Sequence, residues 1–392
     1  MMQDGIIPSF NFLWTHYSNY LYETTPQLSY KIIREIEMKT VIAINGNPRK
    51  GWDTNTQNQL KKHILAILLI GTVFLTGCVS PLSQWNDSAP AKRALVEYVR
   101  IITKKNSPNY IPAENRIAIF DLDGTLLLET APTYFDWSLF EHRVLEDPSY
   151  KATDEQLAAA QASRNGKFPK LDNARERMVS EAYKGMTLDE FYAFVRKFME
   201  EPQPGFIGMK RGDAFYKPML EVVDYLVKNS FIVYVISGTD RLTVRPLADK
   251  LHLPPRQIIG SDSTIVASGQ DEKDGLDYTF GKEDTLLLGG KNLVKNLQMN
   301  KVTIIAREIG VQPVLAFGNS LTDASMLNYA IHGNKYKALG FMLLCDDLER
   351  EYGNAAKAEK MRNDCAQNGW IPVSMRDDWK TIYGENVMKK QD

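Results

Sequence analysis

Arg116-Ile117-Ala118-Ile119-Phe120-Asp121-Leu122-Asp123-Gly124-Thr125 is the stretch that decides the fold. Its first half is a short, mainly apolar run bounded by polar sequence, the pattern of a strand buried in a parallel sheet. The run then delivers two carboxylates. Residues two apart on a strand point the same way, so Asp121 and Asp123 face one site where the extended conformation continues through them. The C-terminal edge of an open α/β sheet is where ligands bind. Gly124 permits a sharp turn, and the Thr125 hydroxyl can bond locally. A plain acidic turn and half of a calcium loop are the alternatives, but the further oxygens and the late Glu of a calcium loop do not follow.

Working outward, Phe231-Ile232-Val233-Tyr234-Val235-Ile236 is a second apolar strand, ending in Ser237-Gly238-Thr239. Val314-Leu315-Ala316-Phe317 is a third, ending in Gly318-Asn319-Ser320-Leu321-Thr322-Asp323. A lysine-bearing stretch lies between them, with Lys291, Lys295 and Lys301. Lys301 is favoured as the lysine of the site because it opens a helical pattern (Val302, Ile305, Ile309) leading into the last motif; Lys295 and Lys291 stay open.

The chemistry these residues suit is phosphoryl transfer. A phosphate monoester is anionic, so an enzyme must neutralise charge and align the reacting groups. Asp121 can attack phosphorus as a carboxylate, and Asp123 can protonate the leaving oxygen and later activate water. Ser237 and a lysine can hold the equatorial oxygens. A hard Mg²⁺ ion, which prefers carboxylate, carbonyl and phosphate oxygens, would bridge Asp121 and the phosphoryl group.

An acidic pair, a hydroxyl, a lysine and a second acidic loop, in this order on successive strand ends, resemble the haloacid dehalogenase-like hydrolase superfamily. The closer likeness, over residues 95–385, is to its phosphoserine-phosphatase-like branch. The resemblance implies an α/β fold: a Rossmann-like three-layer α/β/α core with a parallel sheet (93–128 and 215–392) and a mainly helical cap (129–214) inserted after the first strand. It also implies a Mg²⁺-dependent phosphomonoesterase with an aspartyl-phosphate intermediate and a small phosphorylated substrate. Catalytic roles fall to Asp121, Asp123, Ser237 and Lys301, and metal contacts to Asp121, Asp123, Asn319 and Asp323. Thr125, Gly238, Thr239, Lys210 and Arg211 are the expected substrate contacts. The fourth motif usually opens with Gly-Asp; here it reads Gly318-Asn319, which removes one negative charge from the metal site if that residue is a ligand.

More than a hundred residues separate Asp121 from Ser237, far more than a crossover helix requires. Their pattern is helical at 157–160, 174–183 and 188–199, with Thr187 and Glu190 forming a capping box. Tyr134, Trp137, His142, Arg143, Arg175 and Arg177 join Lys210 and Arg211 as cap residues able to select a substrate. A leading helix is expected over 93–104 and an edge strand over 338–345.

Upstream, Lys61-Lys62-His63 precede an apolar run from Ile64 and then Leu75-Thr76-Gly77-Cys78. A basic start, an apolar run and small residues before a cleavage point form a secretory signal. The ending resembles the bacterial lipobox, which implies diacylation at Cys78. Residues 60–78 are thus expected to be a lipoprotein signal peptide, 79–92 a tether, and the enzyme to sit in the bacterial cell envelope, lipid-anchored and extracytoplasmic. Residues 1–59 read as an extension or fusion remnant. Within it, Met38 to Gly51 resembles the first strand and phosphate loop of flavodoxin-like NAD(P)H oxidoreductases, but a strand and loop alone cannot bury a core.

The composition is globular, 44% hydrophobic and 24% charged. With a net charge of −1 and dispersed basic residues there is no field to recruit nucleic acid, and none is expected as a partner. Three cysteines without Cys-x-x-Cys spacing exclude a zinc motif. Export permits a Cys345–Cys365 disulfide; two buried free thiols are the alternative. A catalytically weak, lipid-anchored binding protein on the same fold is the competing functional reading, motivated by Asn319.

Overall fold

Strand β1 is Ile117–Phe120, wholly buried, and it lies at the centre of a seven-stranded sheet. The computed structural model describes residues 81–391, apart from 130 and 171. Residues 1–59, the signal and lipobox over 60–78 with Cys78, and the first two residues of the expected tether lie outside the described residues.

Helix α1 (Pro90–Thr103) starts on a proline, whose missing N–H costs nothing at a helix N-terminus. After β1 come four helices: α2 (Phe135–Leu145), α3 (Asp154–Arg164), α4 (Asn173–Glu181) and α5 (Leu188–Met199). The Thr187–Glu190 capping box forms as read, and α5 buries Phe191, Val195 and Phe198. A short strand β2 (Phe206–Ile207) and helix α6 (Lys217–Lys228) return the chain to the sheet. Then follow β3 (Ile232–Asp240), the short α7 (Arg241–Val244), β4 (Ile258–Ala267), β5 (Leu286–Val294) and α8 (Met299–Glu308). The chain ends with β6 (Leu315–Gly318), α9 (Ala324–Ile331), β7 (Leu339–Leu344), α10 (Ala355–Asn368), β8 (Ile371–Ser374) and β9 (Met388–Lys389).

The sheet order is β5-β4-β3-β1-β6-β7-β8. All its pairs are parallel except β4 with β5. With helices flanking a mostly parallel sheet, the fold is α/β and Rossmann-like, as the sequence implies. Two apolar clusters cover the two faces; Ile117, Ile119 and Ile236 point into one, Ala118, Phe120 and Val235 into the other. This is the alternation a strand imposes. Phe120, Phe317 and Phe341 sit in register on β1, β6 and β7 and stack with centroids 4.3 and 4.8 Å apart. That aromatic row stiffens the strands beneath the motif loops.

Two expectations change and one open alternative is decided. The strand expected at the edge, β7, is interior, because β8 pairs beyond it with Phe341 opposite Ile371. Residues 82–92, read as part of a tether, are packed down: Leu82 and Trp85 are buried, and the Trp85 indole N–H donates to the Pro218 carbonyl at 3.0 Å. Trp85 also meets Trp379 edge-on, so the C-terminal tail belongs to the core. Of the two alternatives for the cysteines, the structure has free thiols, with Cys345 half-buried and Cys365 buried. Cys365 is buried on α10 against the apolar face that includes Met361 and Trp370.

Candidate active site

The ends of β1, β3 and β6 meet around Asp121. Its backbone N–H donates to the Phe317 carbonyl at 2.9 Å, which carries β1 pairing one residue past the strand. The chain then turns back: the Gly124 N–H donates to the Leu127 carbonyl (2.7 Å) and the Leu127 N–H to the Leu122 carbonyl (2.9 Å). Gly124 takes φ +80°, a conformation that favours glycine. A Cβ there would also fall 1.9 Å from Asn319 Nδ2, so the position needs glycine for space as well.

Lys301 Nζ is the hub. It donates to Asp121 Oδ1 (2.5 Å), Asp323 Oδ1 (2.7 Å) and the Ile236 carbonyl (2.8 Å). An ammonium has three N–H groups, and here all three are used. The side chain is wholly buried, inserted from the first turn of α8. Burial alone would lower the Lys301 pKa, but the Asp121 and Asp323 charges outweigh it and hold the value at about 12. Burial, then the Asp323 charge, pushes Asp121 up to about 7, with the Lys301 ammonium pulling against both. Because that ammonium keeps its charge, the carboxylate of Asp121 stays accessible near neutral pH.

Asp323 is committed elsewhere in the loop. Its Oδ2 accepts the N–H groups of Asn319 (3.1 Å) and Ser320 (3.2 Å). Gly318 allows this close fold, since a Cβ there would lie 2.6 Å from Asp323 Cβ. Asp323, expected among the metal ligands, instead buries its charge against Lys301 and two amides.

Asp123 is different. Its Oδ2 accepts the Thr239 hydroxyl at 2.9 Å, while its Oδ1 is buried without a partner. Burial, then the charges of Asp136 and Asp121, raises its pKa well above the carboxylate range, with Thr239 opposing. A carboxyl that holds a proton beside an anionic neighbour is suited to donate it.

A cavity of about 250 Å³ opens over these groups, lined by Asp121, Asp123, Gly238, Thr239 and Asn319. Thr125 is buried, its hydroxyl 3.4 Å from Asp121 Oδ2. Ser237 is also buried, but its Oγ accepts the Thr239 N–H at 3.0 Å, and Gly238 and Thr239 line the cavity in its place. The three candidate lysines differ in place: Lys301 is bonded to Asp121, Lys295 lines the cavity and pairs with Glu176 at 3.0 Å, and Lys291 is exposed and does not line it.

Lys210 and Arg211, expected as substrate contacts, do not line the cavity. Lys210 is exposed and pairs with Glu200 at 2.6 Å. Arg211 stacks over Phe198 at 4.3 Å beside Glu201 and lines a separate recess of the cap with His142 and Glu146. Cap carboxylates ten residues upstream take both cations. Tyr134 and Arg175 do line the cavity, with the Arg175 guanidinium 4.5 Å over the Trp137 ring. The sequence reading missed Glu129, Asp136 and Lys357. Lys357 belongs to α10, far from every motif, and carries no local signal. Glu129 had one: it is the charge that ends the apolar run Leu126-Leu127-Leu128 directly after the first motif.

The donor set suits a hard divalent cation. Asp121 Oδ2 lies 3.4 Å from the Thr125 hydroxyl, Asp123 Oδ1 is a buried oxygen without a hydrogen-bond partner among the described residues, and the Asn319 amide and Glu129 carboxylate line the same space. All are oxygen ligands, and no thiol or imidazole lines the cavity.

Residues 118–328 match the family model for haloacid dehalogenase-like hydrolases. No curated protein matches. Among solved structures, the chain is similar to cytosolic 5'-nucleotidase IIIB bound to cytidine, at 11% identity and a TM-score of 0.45, covering 76% of this chain and 90% of that one. It is similar to a conserved protein of unknown function from Anaerococcus prevotii, at 13% identity and a TM-score of 0.42, covering 72% and 92%. It is also similar to a substrate-bound phosphoserine phosphatase, at 15% identity and a TM-score of 0.34, covering 58% and 86%.

Proposed function

Because the chain belongs to the haloacid dehalogenase-like hydrolases, we propose that it is a Mg²⁺-dependent phosphomonoesterase acting through an aspartyl-phosphate on a small phosphorylated metabolite. The observation that carries this reading is the pair Asp121 and Asp123 at the end of β1. One carboxylate is held beside a buried ammonium, and the other is held as a proton donor.

In the first step an Asp121 carboxylate oxygen attacks phosphorus. The bond from phosphorus to the substrate oxygen breaks, and Asp123 gives its proton to the departing alkoxide. In the second step Asp123, now a carboxylate, takes a proton from water as the water oxygen bonds to phosphorus; the Asp121–phosphorus bond breaks and inorganic phosphate leaves. Lys301 keeps Asp121 oriented and offsets its charge against the anionic substrate. Thr239 fixes the rotamer of Asp123 through its hydroxyl. Asp121, Asn319 and Glu129, which line one cavity, would hold a Mg²⁺ ion. Such an ion supplies charge neutralisation for the phosphoryl oxygens. The cap residues Arg175 and Tyr134, with Lys295, bound the space left for the remainder of the substrate.

The purified protein is expected to hydrolyse an aryl phosphate with added Mg²⁺ and to lose that activity in EDTA. No turnover of any phosphate monoester in a metabolite screen would favour the lipid-anchored binding protein instead.

For location, we propose anchoring outside the cytoplasm through a diacylated Cys78, with 60–78 removed as a signal and 1–59 without a function. The ordered basic start, apolar run and Leu75-Thr76-Gly77-Cys78 support this. Among the described residues no helix is long and apolar enough to cross a membrane. Mass spectrometry of the native N-terminus should find an acylated Cys78. An unmodified peptide spanning Phe74 to Ser80 in most of the protein would refute lipid attachment.

A further inference from the structure

The last motif loop brings little charge to the cavity. Asn319 is neutral, and Asp323 spends one oxygen on Lys301 and the other on two backbone N–H groups. Asp121 already shares its charge with Lys301. A hard dication prefers several anionic oxygens, so the cavity must draw a carboxylate from elsewhere or bind the ion weakly.

Glu129 is placed to supply it. The turn after the first motif, closed by the Gly124-to-Leu127 hydrogen bond, brings the segment back over Gly124, and the Leu128 N–H fastens it to the Ala214 carbonyl at 2.8 Å. The Glu129 and Asn319 side chains meet above Gly124. The point a Cβ would occupy there is 1.9 Å from Asn319 Nδ2 and 3.2 Å from Glu129 Cδ, so amide and carboxyl lie no further apart than those two distances laid end to end. Both side chains line the cavity that holds Asp121 and Asp123. Glu129 is well buried, with 15% of its side chain exposed, so its charge needs a partner.

The charged partner present is Lys357, whose Nζ lies 2.9 and 3.2 Å from the two Glu129 carboxylate oxygens, and the Tyr134 hydroxyl donates to Glu129 Oε1 at 3.4 Å. Lys357 is the more exposed half of the pair, with 40% of its side chain exposed, so water can replace the contact at small cost. Glu129 has no such freedom.

We infer that Glu129 is a ligand for the divalent cation of this cavity, replacing the carboxylate that Asn319 lacks, and that Lys357 holds the same carboxylate when the cation is absent. The inference rests on reading the cavity as a cation-dependent phosphatase site. Exchange of partners has a second effect. Lys357 itself lines the cavity, so the arriving cation frees a second positive charge to meet an anionic substrate.

Titration calorimetry of the full chain with Mg²⁺, and separately with Mn²⁺, tests this without any turnover. Glu129→Gln should weaken the cation by at least about 10-fold, the scale on which lost coordination support acts. Adding Asn319→Asp to Glu129→Gln should return most of that affinity. Lys357→Met, which removes the competitor and leaves every oxygen in place, should tighten binding; it also covers the case where Glu129→Gln fails to fold, which circular dichroism would reveal. Equal affinity in wild type and folded Glu129→Gln would overturn the inference and leave the cation-dependent reading standing. Weaker binding by Lys357→Met would overturn the exchange. A wild-type chain that binds neither ion would overturn both the inference and the cation requirement.

Discussion

Asp121→Asn protein is expected to hydrolyse a phosphate monoester at least about 10²-fold more slowly than wild type, and Asp123→Asn to lose at least as much as general acid help contributes, about 10²-fold. An amide is not a useful nucleophile toward phosphorus, so the first substitution removes the attacking group. The second removes the carboxyl proposed to protonate the leaving oxygen, whose Oδ1 is buried without a hydrogen-bond partner among the described residues. Neither change should unfold the protein. Lys301 keeps Asp323 and the Ile236 carbonyl when Asp121 becomes Asn, and an Asn at 123 can still accept from Thr239. Steady-state rates with an aryl phosphate, alongside circular dichroism, decide it. Wild-type turnover by folded Asp121→Asn would end the covalent mechanism.

Lys301→Met should cost both activity and stability. The ammonium is wholly buried and satisfies two carboxylates and a carbonyl. Removing one partner of a buried charge network leaves the others uncompensated, at a cost of about 3–5 kcal/mol. Urea unfolding should therefore shift strongly to lower midpoint at unchanged slope. Lys301→Met with Asp323→Asn should regain part of the stability, because one stranded charge is gone, yet none of the activity. A single variant within about 1 kcal/mol of wild type would show that the network is not held together by Lys301.

What could be read from the sequence follows from how local each signal is. The strand-plus-Asp121-x-Asp123 segment is a local pattern, and so were the Thr187 capping box and the helical start at Lys301; all three appear in the structure. Asn319 was legible as a departure, and it does line the cavity. The errors concern partners distant in the chain. Nothing in Lys210-Arg211 shows that Glu200 and Glu201 hold those cations in the cap. Nothing near Asp323 shows that its two oxygens are already taken. The edge of the sheet was misplaced because β8, only four residues, has a composition too short to register as a strand. Lys357 reaches the site from a helix whose sequence reads as an ordinary solvated one.

The Trp85–Trp379 contact has a meaning for synthesis. The Asn86 N–H bonds to the Asp378 carbonyl at 2.8 Å and the Lys380 N–H to the Gln84 carbonyl at 2.9 Å, so the first described segment is closed by almost the last. The central strand also waits, since its neighbours β3 and β6 come from far downstream. Loop closure on this scale slows assembly. The joining of the two segments therefore waits until the chain has been made through Lys380, so this closure is a late event of synthesis.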